Sequence, residues 1–294
     1  MARGESGQEG PVNSTLQTPV GSKRDRDVAL CRSLLYEALS LGFRPPVART
    51  IERLAAPEAV AALAEAAGYL DEEAPRSPAD RRSGLAARVR ALAGASDARA
   101  AETLMMSHLR LFGHTVRGPV PPYETEYGED TLFQKPQEMS DLAGFFSAFG
   151  LVLDPHKHER IDHISCELEF MAFLSRKEAH ALEAEDAEMH RETRRAARLF
   201  LRDHLARFAP SFAHRTAASD PSGFYGRLAL LCLDFIKMEC DRYEAPSGPE
   251  MLRLRLPIDD GAPMACGAPE GCGVPGPCGG PEEPGPDVGQ GSPG

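Results

Sequence analysis

The chain has 294 residues, 42% hydrophobic and 26% charged, with a net charge of -11, the make-up of a globular protein with a sizeable core. It shows no clustered Lys/Arg patch with interleaved aromatics, which argues against nucleic acid, and no apolar run of about 18 residues, which argues against a membrane span. The N-terminus lacks the apolar core of a secretory signal, so the seven cysteines are expected to be reduced thiols in the cytoplasm.

Residues 1–22 are rich in Gly, Ser, Thr and Pro and are expected to be disordered. From Asp25 or Asp27 a helix reads through Val28, Cys31, Leu34, Leu35 and Leu39, closed by Gly42 and Pro45-Pro46. Short helices are predicted over Val47–Ala56 and Pro57–Leu70, the second with proline in its first turn. Asp71–Ser83 is charged, carries Pro75 and Pro78, and reads as a loop before a helix over Leu85–Leu92.

Asp97 is the expected cap of a stronger helix, in which Ala101, Leu104, Met105, His108, Leu111 and Phe112 recur at i, i+3, i+4 and i+7 before Gly113. The Pro119–Tyr127 loop cannot continue it, because its prolines favour extended backbone before each. Pro136–Phe149 is predicted helical, with Gly150 as the stop. Asp162 is read as the cap of the next helix, along which Ile164, Leu168, Met171 and Leu174 or Ser175 form a stripe. Glu178–Glu188 is read as still helical. Met189–Phe208 follows, with Pro210 as terminator. Asp220-Pro221 reads as cap and first-turn proline of an apolar helix through Phe224, Leu228, Leu231, Cys232, Phe235 and Ile236 to about Tyr243.

No period-2 strand or Asn-Gly hairpin interrupts this pattern. The expectation is an all-α fold, a single bundle-like domain of roughly nine to ten helices over residues 23–256. Residues 257–294 are expected to be a flexible acidic tail, since 20 of the 38 are Gly or Pro and six are Asp or Glu with no Lys or Arg.

Enzyme signatures are missing. No Gly-x-Gly-x-x-Gly or Walker-type loop lies between a strand and a helix. There is no Gly-x-Ser-x-Gly elbow, no pair of Glu-x-x-His motifs and no His-Glu-x-x-His. A non-catalytic protein is therefore expected, with partner-binding residues rather than a reaction centre.

Asp162, His163 and Glu167 open a helix, and the last two share a face. They either line a polar notch for a basic ligand or serve as a cap and a local pair. Tyr123, Glu124, Glu126 and Tyr127 fall in the Pro-rich loop, where loops often carry binding residues; otherwise the tyrosines pack and the glutamates are solvated. Phe145, Phe146, Phe149, Phe170, Met171 and Phe173 read as core. Cys266, Cys272 and Cys278 are separated by five residues each. Their alternative to an unstructured tail is a metal or cluster carrier, although zinc knuckles are tighter.

Three stretches together resemble a known family. They are Pro121-Pro122-Tyr123-Glu124-Thr125-Glu126-Tyr127-Gly128, Ala143-Gly144-Phe145-Phe146-Ser147-Ala148-Phe149-Gly150-Leu151, and Asp162-His163-Ile164 with Glu167-Leu168-Glu169-Phe170-Met171. They are similar to the TorD/DmsD/NarJ group of molybdoenzyme maturation chaperones. The resemblance covers roughly residues 27 to 245 and neither tail. It implies an all-helical chaperone without a cofactor of its own. Its partner would be the apo catalytic subunit of an enzyme that uses molybdopterin guanine dinucleotide, and for an exported client also the twin-arginine leader. Tyr123 and Glu124, with Glu126 and Tyr127 of the same loop, and Asp162, His163 and Glu167 on the helix would border the client- or signal-peptide-binding groove.

Overall fold

The first long helix begins at a reciprocal pair of hydrogen bonds. The Ser22 hydroxyl accepts from the Asp25 N–H, while the Asp25 carboxylate accepts the Ser22 N–H at 2.8 Å. From there α1 runs Lys23–Phe43, followed by α2 (Ala48–Ala55), α3 (Pro57–Glu73), α4 (Leu85–Ala93) and α5 (Ala101–Phe112). After a 3-10 turn at Glu124–Glu126 come α6 (Gln134–Ala148), α7 (Ile164–Glu183) and α8 (Ala187–Phe200). A π turn (Leu201–Leu205) then leads into α9 (Ala206–Ser219) and α10 (Phe224–Tyr243). The computed structural model describes residues 21–73, 84–93, 101–113, 118–129, 134–154 and 159–255.

Among the described residues the fold is all-α, as expected: they hold no strand, and their β-type pairing consists of isolated bridges such as Tyr123 with His163 and Tyr127 with Leu254. No helix among them is long and apolar enough to cross a membrane. Residues 1–20 and 257–294 of the proposed tails, the Asp97 cap and Cys266, Cys272 and Cys278 lie outside the described residues, while Ser22, placed in the N-terminal tail by the sequence reading, is the cap of α1.

One continuous core joins these helices, with α7 at its centre. That helix buries Ile164, Leu168, Phe170, Met171 and Leu174 along with much of its polar face, and α1 packs lengthwise against it. Phe170 gathers the aromatic residues of three helices. It stacks on Phe146 at 4.8 Å and meets Phe149 and Phe200 at 5.7 and 4.6 Å. The phenylalanines predicted for the core are therefore in it or packed against it.

A buried ionic network crosses the same core. Arg32 of α1 is 1% exposed and donates to both oxygens of Glu239 on α10 at 2.9 and 2.8 Å, to Glu178 on α7 at 2.6 Å, and to the Tyr243 hydroxyl. Tyr243 donates on to Glu178 at 3.0 Å and Tyr36 to Glu239 at 3.0 Å. Burial alone would raise the Glu178 pKa, but Arg32, His190 and Arg194 outweigh it and hold the carboxyl far below the usual range.

Four local expectations differ from the structure. The helix does not run on through Glu178–Glu188. It stops at Ala184, Glu185 takes a left-handed φ of 53°, and Asp186 caps α8 by accepting the Met189 N–H at 2.9 Å. Asp162 is not the cap of α7; His163 is, one residue later. The cap of α10 is Gly223 rather than Asp220, which reaches the Gly226 N–H instead.

Pro210, finally, lies inside α9. A proline there leaves the carbonyl four residues back without its donor. That carbonyl belongs to Ala206, and the Gly248 N–H donates to it at 2.9 Å. A Cβ on Gly248 would lie 2.3 Å from the Arg207 carbonyl oxygen, so only glycine approaches this closely.

Candidate functional site

The Pro-rich loop and the start of α7 meet as a short antiparallel pair. The Glu124 N–H donates to the Asp162 carbonyl and the Ile164 N–H to the Pro122 carbonyl, each at 2.8 Å. This register puts the Tyr123 ring edge-on to His163, with centroids 5.2 Å apart. The guanidinium of Arg160 covers the other part of the Tyr123 ring at 4.5 Å, and the tyrosine hydroxyl donates to Glu159 at 3.2 Å. Burial first, then the Glu159 charge, push the Tyr123 phenol up to about 12.

His163 is buried and neutral. The Ser165 N–H donates to its Nδ1 at 3.1 Å, which leaves the ring proton on Nε2. Burial, reinforced by His108, Arg44 and Arg160, pulls its pKa down to about 3.

Most of the acids singled out in the sequence already hold cations of this chain. Asp162 is fully buried and accepts from Thr125 at 2.7 Å and from Arg160 at 3.0 and 2.7 Å. Glu124, also fully buried, accepts from Arg207 at 3.2 and 2.5 Å and pairs with His204 Nδ1 at 3.1 Å. Glu126 pairs with Lys135 at 3.3 Å. Tyr127 is buried against Phe208 and donates its hydroxyl to the Pro121 carbonyl at 2.9 Å.

Glu167 differs from all of these. It is fully buried, and among the described residues neither carboxylate oxygen has a hydrogen-bond partner. The anticipated His163–Glu167 side-chain pair is not formed, since His163 spends its Nδ1 on Ser165. Burial, then the negative charges of Glu124 and Asp162, raise the Glu167 pKa well above the ordinary carboxylate range.

The partners of these residues were not legible in the sequence. Arg207 bridges Glu124 and Glu138, the latter at 2.8 Å, and Arg255 closes the set with bonds to Glu138 at 2.8 and 2.9 Å and to the Thr125 carbonyl at 2.9 Å. Arg255 arrives there because Leu254 pairs with Tyr127, a contact no local pattern announces.

The same groups form the back of an open cleft of about 540 Å³. Ser140, Asp141, Gly144, Phe145 and Ala148 of α6 make one wall, while Asp203 and His204 of the π turn and Arg207 of α9 make the other. Glu124 steadies the second wall from behind through His204 and Arg207. Of the residues singled out in the sequence as a binding site, Tyr123 and His163 lie together beside this network, while the cleft is lined by other positions, Phe145 among them, which the sequence reading assigned to the core. Among the described residues no group of His, Cys, Asp and Glu is arranged to hold a metal.

Comparison with known proteins adds to this geometry. Residues 57–214, more than half of the chain, match the family model described as nitrate reductase delta subunit. The chain belongs to that family. The recognition carried by the three sequence stretches therefore stands. Chaperone protein TorD of Vibrio cholerae serotype O1 is 30% identical over 131 residues, 44% of this chain and 57% of the relative. The selenate reductase assembly chaperone protein of Thauera selenatis is 38% identical over 96 residues, 32% of this chain and 45% of its own length. The chlorate reductase assembly chaperone protein of Ideonella dechloratans is 36% identical over the same number of residues and the same shares. This nitrate reductase delta subunit family member thus spans about half the length of the curated relatives it matches. The relatives carry the names of chaperones and assembly proteins, not of enzymes.

Proposed function

We propose that this protein is a non-catalytic assembly chaperone that binds the apo catalytic subunit of a molybdopterin-dependent reductase in the cytoplasm and holds it for cofactor insertion. The observation that carries this reading is that relatives named for different reductases, of selenate and of chlorate, are both assembly chaperones. The cofactor, molybdopterin guanine dinucleotide, belongs to the client. Where the client is exported, its twin-arginine leader is engaged as well.

The face offered to the client is the open cleft beside α6, with the part-exposed Tyr123 at the edge of the network behind it and Asp162 and His163 buried as its support. Its physical character supports the reading. The open hollow, lined by both polar and apolar side chains, is a surface that a polypeptide segment can enter.

The test is co-expression of the full chain with the reductase catalytic subunit encoded nearest to it, followed by affinity capture and measurement of molybdenum in the client. Capture of the metal-free subunit, and lower molybdenum in the client when the chaperone is omitted, are the expected results. A client that fills with cofactor equally well without this chain refutes the reading.

A further inference from the structure

We propose that Glu167 is a proton-operated catch at the joint between the Pro-rich loop and α7: with its carboxyl protonated the loop is closed on the helix, and loss of the proton opens it. The catch is a property of this chain alone, and only its consequence for the cleft rests on the client reading above.

The loop lies over the face of α7 that carries this acid. His163 and Glu167 are one turn apart on that face. At the His163 end it is covered by the Tyr123 ring, edge-on at 5.2 Å, and by the backbone bonds of Glu124 and Ile164. Thr125 adds a bond to the Asp162 carboxylate at 2.7 Å, and Arg160 donates to the Thr125 hydroxyl at 2.9 Å. Glu124, next after Tyr123, is fully buried and close enough for its charge to act on Glu167.

Among the described residues, each cation around Glu167 already serves another carboxylate. Arg207 of α9 and His204 of the π turn hold Glu124 of the loop, Arg207 and Arg255 hold Glu138 of α6, and Arg160 holds Asp162. On α7 itself, His163 accepts from the Ser165 N–H and stays neutral. From α5, His108 meets the Phe43 carbonyl through Nε2 at 3.3 Å, and Arg44, just past α1, donates to Glu169 at 2.5 Å. Glu167 is left facing the negative charges of Glu124, Asp162 and Glu138.

Such a carboxyl has two arrangements. Protonated, it is uncharged, and the closed joint holds it. Ionised, it would stand in the dry interior among three other acids, so its charge has to reach water. The segment that yields is the loop, held by a short backbone pairing and a few polar contacts, and not α7, which is the centre of the core. Burial and the neighbouring acids favour the protonated form in the closed state, so the open state gains as pH rises. Glu124 travels with the loop and steadies His204 and Arg207 on the cleft wall, so opening slackens that wall.

The chain has no tryptophan, so Tyr123→Trp places a single reporter at the joint. Acrylamide quenching of this reporter in the full chain is followed from about pH 5 to about pH 9, a range in which His163, with its pKa of about 3, does not titrate. Expected is a rise of at least about twofold in the quenching constant, and no rise once Glu167→Gln is added. Glu167→Met is the second uncharged variant should the amide not fold. Infrared difference spectra of the protein with its natural Tyr123 should show one protonated carboxyl disappearing over the same range, a change missing from Glu167→Gln. Quenching that stays flat, an equal rise in the uncharged variants, or an infrared change shared by Glu167→Gln overturns the proposal.

Capture of the co-expressed reductase subunit at the two pH extremes separates this claim from the client reading. A loss of about fivefold at high pH, absent in Glu167→Gln, is expected. Unchanged capture alongside a working catch removes the link to the cleft and leaves the chaperone reading standing. Capture at neither pH removes that reading, while the quenching result still decides the catch.

Discussion

Two buried ionic networks hold this molecule together, and they are built differently. Around Arg32 every oxygen of Glu178 and Glu239 has a donor, from Arg32, Arg194, Tyr36 or Tyr243. Beneath the cleft, Glu124, Glu138 and Asp162 are matched by Arg207, Arg255 and Arg160, but Glu167 is left over with no donor among the described residues. The first network joins α1, α7, α8 and α10 and has nothing to spare. The second joins the Pro-rich loop, α6, α7 and α9, lies beside the open face, and carries one acid more than its arginines neutralise. The first network is thus fully matched, whereas the second leaves a buried carboxylate unmatched beside the cleft that we propose receives the client.

The largest effect should come from breaking the complete network. Arg32→Met leaves Glu178 and Glu239 buried beside a thioether, and urea unfolding should show a loss of about 3–5 kcal/mol. A loss below about 1 kcal/mol would mean that water reaches these carboxylates, and the contrast between the networks would go.

The incomplete network should respond in the opposite direction. Glu167→Met removes a buried polar group without partners, and a gain of about 1–3 kcal/mol at pH 7 is expected in the same assay. Its pH dependence follows from the raised pKa. An acid whose folded pKa lies above its unfolded value of about 4.3 favours the native state below that value, and this contribution is lost as pH rises toward the folded pKa. Relative to Glu167→Gln, the native protein should therefore lose stability from about pH 4 upward. Parallel stability profiles for the two proteins would show that Glu167 titrates alike in the folded and unfolded chains and would overturn this expectation.

A smaller cost of about 1–2 kcal/mol is expected for Gly248→Ala, because the new methyl group forces the Gly248 N–H off the Ala206 carbonyl and leaves it unmatched beside Pro210. Hydrogen exchange would localise the opening to α9. Tyr123→Phe should change stability by less than about 0.5 kcal/mol, since only the half-buried hydroxyl contact to Glu159 is lost. Client capture by that variant then reads the part the tyrosine plays in binding, separately from folding.

Much of the fold was legible because apolar periodicity and punctuation act over a few residues. Of the stripe through Val28, Cys31, Leu34, Leu35 and Leu39, Val28, Leu35 and Leu39 are buried and Leu34 is exposed, while Leu228, Leu231 and Phe235 are buried as their spacing requires. What was not legible depended on distant partners. Pro210 was read as a terminator because its remedy, Gly248, lies thirty-eight positions away and belongs to no pattern. Asp162 looked like a cap because aspartate so often is one; Thr125 and Arg160 claim its oxygens instead. The meeting of Tyr123 with His163 was implied by the family resemblance, yet neither motif signals that Glu124 faces inward onto Arg207. The cleft itself rests on Asp203 and His204, which periodicity marks only as part of a longer helix.

The segment after α10 serves as a latch. Gly248 caps an interior carbonyl of α9, the Leu252 N–H donates to Ser211 at 2.9 Å, Leu254 pairs with Tyr127, and Arg255 plugs Glu138. A trimmed version of this protein must therefore retain residues through Arg255. Cutting it back to the last turn of α10 would unfasten the wall of the cleft, although every described helix would still be present.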